Sequence, residues 1–230
     1  GTSQKPYFTI NKAVLEVGDG NKIIIVGSIT ETLETTIANK NITFEGQSNA
    51  IVTRSNTGRL INITGTSTVS FSNITFENCN AGVQGVVVNA AIGNKVTFTD
   101  CLFQNNVGTA QNGSTVHIAS ADATFTRCTF YNNSATATNG RGAAIIFGGT
   151  FSGEITNCTF FKNKLTENIT NNIGATIVTF VIPTGGDPAT QQLTITNSLF
   201  LDNTNKNGDK VDIQYPSQNL SILNTLAERT

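Results

Sequence analysis

His117 is the chain's one histidine. A nucleophile–histidine–carboxylate site needs a base that a third group orients. His117 lies between Val116 and Ile118, which alternation points inward, so the sequence predicts an outward, solvated side chain. The acids Asp100, Asp122, Glu154, Asp202 and Asp212 are scattered along the chain. Glycoside hydrolysis needs two converging carboxylates. Polysaccharide lyases usually need an acidic, metal-binding cluster beside an Arg or Lys base. Asp122 and Glu154 fall on neighbouring repeats, but two surface carboxylates are a weak signal, and the sequence has no Asp-Asp pair or Arg-x-Lys triplet. The expectation is a chain that is not an enzyme, with no cofactor and no metal.

The other reactive residues are Cys79, Cys101, Cys128 and Cys158. The last three share one repeat position, held by Ile74 in the coil above and Ser198 in the coil below. Such an inward column suits buried free thiols acting as small hydrophobes. A vertical disulfide between coils is the second reading. Metal binding is the third and needs a fourth converging ligand.

Charged residues make up 13% of the 230, and the formal net charge is −1. That offers no basic field for nucleic acid. No apolar run approaches a membrane span. The opening GTSQKPYF contains no signal peptide and reads as an already processed start or a cut edge. Asn, Thr, Ser and Gly supply the polarity, a vocabulary of strands and tight turns. Eight Asn-x-Ser/Thr triplets occur, at Asn41, Asn62, Asn73, Asn112, Asn132, Asn157, Asn168 and Asn219. In a chain this rich in Asn, Ser and Thr, chance accounts for most of them.

What positions all these residues is a repeat. Short strands of the type VTFT centre on Phe44, Phe71, Phe98, Phe125, Ile155 and Ile195, at steps of 27, 27, 27, 30 and 40 residues. A second column follows at Phe76, Phe103, Phe130, Phe160 and Phe200. A third opens with Gly58, Gly85, Gly113, Gly142, Gly174 and Gly208, each followed by an apolar strand. Three short strands per period, with no room for a crossover helix, describe one coil of a triangular solenoid. The predicted fold is all-β: a right-handed parallel β-helix of the pectin-lyase-like kind, with about seven coils and three parallel sheets. It forms a single domain over 1–230. Residues 1–20 make an N-terminal cap region that includes a short amphipathic segment at 11–17. Residues 217–230 make a last strand and tail.

Alternation then assigns faces. Phe44, Phe71, Phe98 and Phe125 point inward, as do Phe103, Phe130, Phe160, Phe200 and the thiols. Asn106, Asn133, Asn163 and Asn203 each follow a second-column Phe by three residues, and they are read as an asparagine ladder satisfying backbone groups at a bend. Outward, Ser70-x-Ser72, Thr97-x-Thr99, Thr124-x-Thr126 and Thr194-x-Thr196 form a hydroxyl array of the kind used to bind ice. Glu45 and Glu154 interrupt it, so ice binding is the least favoured function.

The F-x-x-N elements Phe103–Asn106, Phe130–Asn133, Phe160–Asn163 and Phe200–Asn203, with glycine-led strands such as GRGAAII and NIGATIV, resemble the repeats of polymorphic-membrane-protein-type surface adhesins. The resemblance spans residues 58–213. Cys79 replaces the Asn after Phe76, and no strict G-G-A-I tetrapeptide occurs. The resemblance implies surface display and adhesion.

The function expected from the sequence is an extracellular or cell-surface adhesin, stalk or assembly subunit. Its partner would be a host-cell protein, a glycan or another copy of the chain. A carbohydrate-binding or carbohydrate-active β-helix is the alternative. The candidate binding site is Ile146 and Val178, apolar where other coils hold outward Asn62, Asn89, His117 and Asp212, together with Pro183, Asp187 and Pro188 of the long loop 181–191.

Overall fold

The computed structural model describes residues 1–110, 112–137, 141–167, 176–180, 190–214 and 219–227, and of these it leaves the side chains of 178–180 undescribed. Its strands pair in parallel, coil upon coil, in a β-helix. In the first column Phe44, Phe71, Phe98, Phe125, Ile155, Ile195 and Ile222 stand directly over one another. In the second, Val52, Phe76, Phe103, Phe130, Phe160, Phe200 and Ala227 do the same. Like residues stack because each repeat returns the same residue type to the same place. The phenylalanine rings follow suit, with neighbouring second-column centroids 4.5–5.2 Å apart. Rings of the two columns meet edge to face, as Phe98 and Phe103 do at 5.3 Å.

The sheets divide differently from the three columns read in the sequence. The long strand Ile42–Arg54 turns a corner and pairs with first-column Thr68–Ser72 and second-column Thr75–Glu77. It thereby joins both columns into one 14-stranded sheet. The third column is a separate seven-stranded sheet, one strand per coil. Between the second and third columns lies a four-stranded sheet of two-residue strands, among them Val107–Gly108 and Ser134–Ala135. Two-residue strands carry no readable periodicity, which hid this sheet in the sequence.

From the coil of Phe71 onward, one left-handed residue makes each bend beside the second column. Asn73, Asp100, Arg127, Asn157, Asn197 and Asn224 stand between the first and second columns. Asn78, Asn105, Asn132, Lys162 and Asp202 stand after the second, and all eleven have φ between 48° and 57°. Asn and Asp tolerate this left-handed conformation, whereas Arg and Lys do not favour it. Two sequons, Asn73-Ile74-Thr75 and Asn157-Cys158-Thr159, arise this way, from a left-handed Asn, an inward residue and an outward strand Thr. At Lys162, φ is 57° and the ammonium lies over the Phe161 ring. Replacing Lys162 by Asn should raise stability by about 0.5–1 kcal/mol in urea denaturation. A loss of that size would contradict the reading of Lys162 as strained.

At the N-terminal end, helix Ile10–Glu16 lays Ile10, Ala13 and Val14 over the first coil. The Thr9 hydroxyl caps it by accepting from the Lys12 N–H at 3.1 Å. Core volume is balanced across the coil. A Cβ at Gly153 would come within 2.9 Å of the buried Phe147 ring, so the small residue makes room for the large one.

Candidate functional site

The thiols of Cys79, Cys101, Cys128 and Cys158 are free and buried. The Cys128 N–H points at the Cys158 sulfur 3.4 Å away, and the Cys158 N–H donates to the Ser198 hydroxyl at 3.1 Å. Burial pushes the Cys79 thiol up to about 12, leaving it no thiolate reactivity at neutral pH.

Each ladder asparagine works both ways. Asn133 Oδ1 accepts from the Asn106 N–H at 3.1 Å and from Asn106 Nδ2 at 2.9 Å. Asn133 Nδ2 donates to the Phe103 carbonyl at 2.9 Å and to Asn163 Oδ1 at 3.0 Å. Asn203 closes the row and reaches Asp212 Oδ1 at 3.1 Å. Cys79 takes the ladder position in its own coil, where its N–H donates to Asn106 Oδ1. Asn106, Asn133, Asn163 and Asn203 are all fully buried and are committed to holding the bend.

The outer face of the third column corrects two expectations. His117 does point outward, beside Asn89 and Ile146. It is nevertheless only 6% exposed, because side chains of adjacent coils flank it and the segments leading into each strand are themselves buried. Its Nδ1–H donates to Asn89 Oδ1 at 2.8 Å, and Asn89 Nδ2 donates to Asn62 Oδ1 at 2.9 Å. Burial, and to a lesser degree the charge of Arg59, lower its pKa to about 4. The second correction concerns Asp212. Gln214, not Asp212, stands beside Val178, and Asp212 turns in to the asparagine ladder. The sixth coil is irregular there, and counting from Gly208 misplaces the strand by two residues.

A neutral His117 has a pH consequence. Its folded pKa lies below the unfolded value near 6.5. The unfolded chain therefore binds the extra proton between about pH 6.5 and 4, and stability falls as pH drops through that window. The loss from pH 7 to pH 5 should be about 2 kcal/mol. His117→Gln should flatten that part of the stability curve, and an unchanged slope would assign the dependence to another group.

Ile146 pairs with Val178 across adjacent coils. Ile146 is fully buried, and a Cβ at Gly142 would fall 2.3 Å from its Cγ1. The chain's own backbone therefore closes over Ile146, which offers no open surface. Pro183, Asp187 and Pro188 lie outside the described residues, as does the side chain of Val178. The hydroxyl array of the first column stands in register from Ser70 to Thr126 and resumes at Thr194, with Glu154 between. Of the acids, Asp100 is held by both Nε and Nη2 of Arg127, at 2.7 and 2.8 Å, and Asp122 accepts from the Ser152 N–H.

The outer face of the second column carries a feature that the sequence reading missed. One outward row runs Glu77, Gln104, Tyr131, Phe161, Leu201. The row beside it runs Thr75, Leu102, Thr129, Thr159, Leu199, Leu226. The early coils are polar apart from Leu102, with Gln104 donating to Glu77 at 2.6 Å. From Tyr131 onward the first row is apolar through Phe161 and Leu201, while the second keeps Thr129 and Thr159 before turning to Leu199 and an exposed Leu226; Tyr131, Phe161, Leu199 and Leu201 are half-buried. Tyr131 and Phe161 stack on each other at 5.6 Å. The signal was present as Phe160-Phe161 and Leu199-Phe200-Leu201, in which only the middle or first ring is needed inside.

A family model described as a right-handed β-helix region matches residues 59–228. No curated protein matches the chain. Among solved structures, a pectin methylesterase mutant in complex with a hexasaccharide is similar, with 12% identity and a TM-score of 0.47 over 98% of this chain and 87% of that one. That neighbour is an enzyme, and the expectation of a chain that is not one is withdrawn. Among the described residues no helix is long and apolar enough to cross a membrane.

Proposed function

Because the chain belongs to the right-handed β-helix family, we propose that it is an extracellular or cell-surface β-helical module that docks protein surfaces, as an adhesin or assembly subunit. The observation that carries this reading is the apolar strip of Tyr131, Phe161, Leu199, Leu201 and Leu226. A strand face that meets only water is expected to keep Thr, Ser or charged residues, as most of the first column does. The resemblance of the F-x-x-N repeats to those of polymorphic-membrane-protein-type adhesins supports surface display. The ring geometry favours a protein partner over a glycan. A sugar stacks on an open ring face, whereas Tyr131 and Phe161 turn their faces to each other and Lys162 lies over Phe161. What remains outward is ring edges and methyl groups.

The test is an array carrying purified cell-surface proteins, glycans and the chain itself. Protein spots should capture the wild-type chain, and Phe161→Thr with Leu201→Thr should weaken capture about tenfold, equivalent to about 1.4 kcal/mol. Capture by glycans alone, or capture unaffected by the double substitution, would contradict the reading.

A further inference from the structure

We infer that helix Ile10–Glu16 is a latched lid over the N-terminal end of the coils, and that it swings off while the coils stay folded. A helix of seven residues does not hold itself together in water, so docking decides whether it forms. Its buried side chains are Ile10, Ala13 and Val14. Ile10 and Val14 join the main core, which at this end also holds Ile25 and Ile37. Backbone ladders tie the coils to one another. Among the described residues, no backbone hydrogen bond runs from Ile10–Glu16 to a coil. Two charged side chains that bracket strand Thr35–Ala38 do the holding instead. Glu31 is buried, and its Oε1 accepts from the Ile10 N–H at 2.5 Å. Lys40 Nζ donates to the Val14 and Val17 carbonyls at 2.7 and 3.0 Å. A helix leaves free N–H groups and partial positive charge at its start, and free carbonyls and partial negative charge at its end. A carboxylate stands at the first and an ammonium at the second, so both latches carry the complementary sign. A third tie is neutral, with Asn11 Nδ2 donating to the Glu34 carbonyl at 3.2 Å. All three break and re-form without disturbing a ladder.

The hinge is equally defined. Ladder bonds begin at Gly20, whose N–H donates to the Asn41 carbonyl at 2.8 Å, and at Asn21, whose carbonyl accepts from the Thr43 N–H at 3.1 Å. Val17 is already extended, with ψ 136°. The unit that leaves is therefore residues 1–17, turning about Gly18. Its departure bares Ile25 and Ile37 beside strand Lys22–Glu31, which pairs on one side with Ile42–Arg54. An unpaired edge beside an open core is a template for a further strand. The lid keeps the core half of that template covered.

Hydrogen exchange of the native chain, read by mass spectrometry on peptides, tests this, with circular dichroism confirming that each variant is folded. Amides of residues 10–17 should exchange at least about tenfold faster than those of strands Lys95–Thr99 and Asp122–Thr126, because the lid opens below the free energy of global unfolding. Glu31→Leu keeps the bulk and removes the acceptor, and Lys40→Met keeps the stem and removes the charge. Each should speed exchange at 10–17 about tenfold and leave the two strands unchanged. Exchange at 10–17 no faster than in the strands would mean that helix and coils open together, and it overturns the proposal. So does a latch substitution that moves the strands as much as the helix, or one that moves neither. A second measurement avoids the buried Glu31. Ala13→Cys, in a chain whose native thiols are buried, should label slowly in the folded protein and about tenfold faster once Lys40→Met is added. Labelling that Lys40→Met leaves unchanged overturns the latch as well.

Discussion

Phe130→Ala should cost about 3–5 kcal/mol of folding stability, the range for emptying a large aromatic site in a close-packed core. Phe130 is fully buried. Its ring stacks on Phe103 at 4.5 Å and on Phe160 at 4.9 Å, and meets Phe125 edge-on at 5.8 Å. The neighbouring coils cannot close over the gap, because their backbones are held apart at the strand-pairing distance of about 4.8 Å. The control is the next residue. Tyr131→Ala removes an outward ring and should cost under about 1 kcal/mol in the monomer. Urea denaturation of both variants decides the matter, and a larger loss at Tyr131 than at Phe130 would invert the assignment of faces.

Asn133→Ala should cost a similar amount, about 3–5 kcal/mol, for a different reason. It leaves the Asn106 N–H and side-chain amide without their acceptor and the Phe103 carbonyl without its donor, all of them buried. Each orphaned buried group costs about 1–3 kcal/mol. Asn133→Asp separates the ladder from simple packing. The carboxyl keeps the acceptor, but it can donate to Phe103 only when protonated. Its folded pKa should therefore be raised. The sign follows: N133D keeps its stability below the unfolded value near 4 and loses it as pH rises toward the folded value. Equal stability of N133D at pH 3.5 and 7, relative to the wild type at each pH, would show that the Nδ2 donor is not needed.

The repeat was legible in the sequence because the buried positions are the least free to vary. Phe98, Phe103 and Cys101 recur at fixed steps since each must fit between identical neighbours above and below. The ladder asparagines were legible for the same reason. What escaped was of three kinds. The corner sheet has strands of two residues, too short for any period. The sixth coil lost its register at Gly208 because Lys206–Asp209 does not repeat the spacing of earlier coils. His117 and the strip at Phe161 were missed because alternation tells inward from outward but not exposed from covered. On a stacked solenoid, an outward residue is shielded by the coils on either side, so a lone histidine becomes buried. In the same way, an F-x-x-N element conceals that the residue after its Phe is also a ring.

The account depends most on the single-residue alternation that sends Phe160 and Phe200 inward and Phe161 and Leu201 outward. A slip of one residue would exchange the two sets. Thiol labelling tests this directly, because the four native thiols are buried and should stay silent. Cysteine introduced singly at Phe161 or Leu201 should label rapidly in the dilute native protein, while Cys79, Cys101, Cys128 and Cys158 label only after denaturation. Rapid native labelling of Cys101, Cys128 and Cys158, with silence at the introduced cysteines, would contradict the register and the outward strip with it.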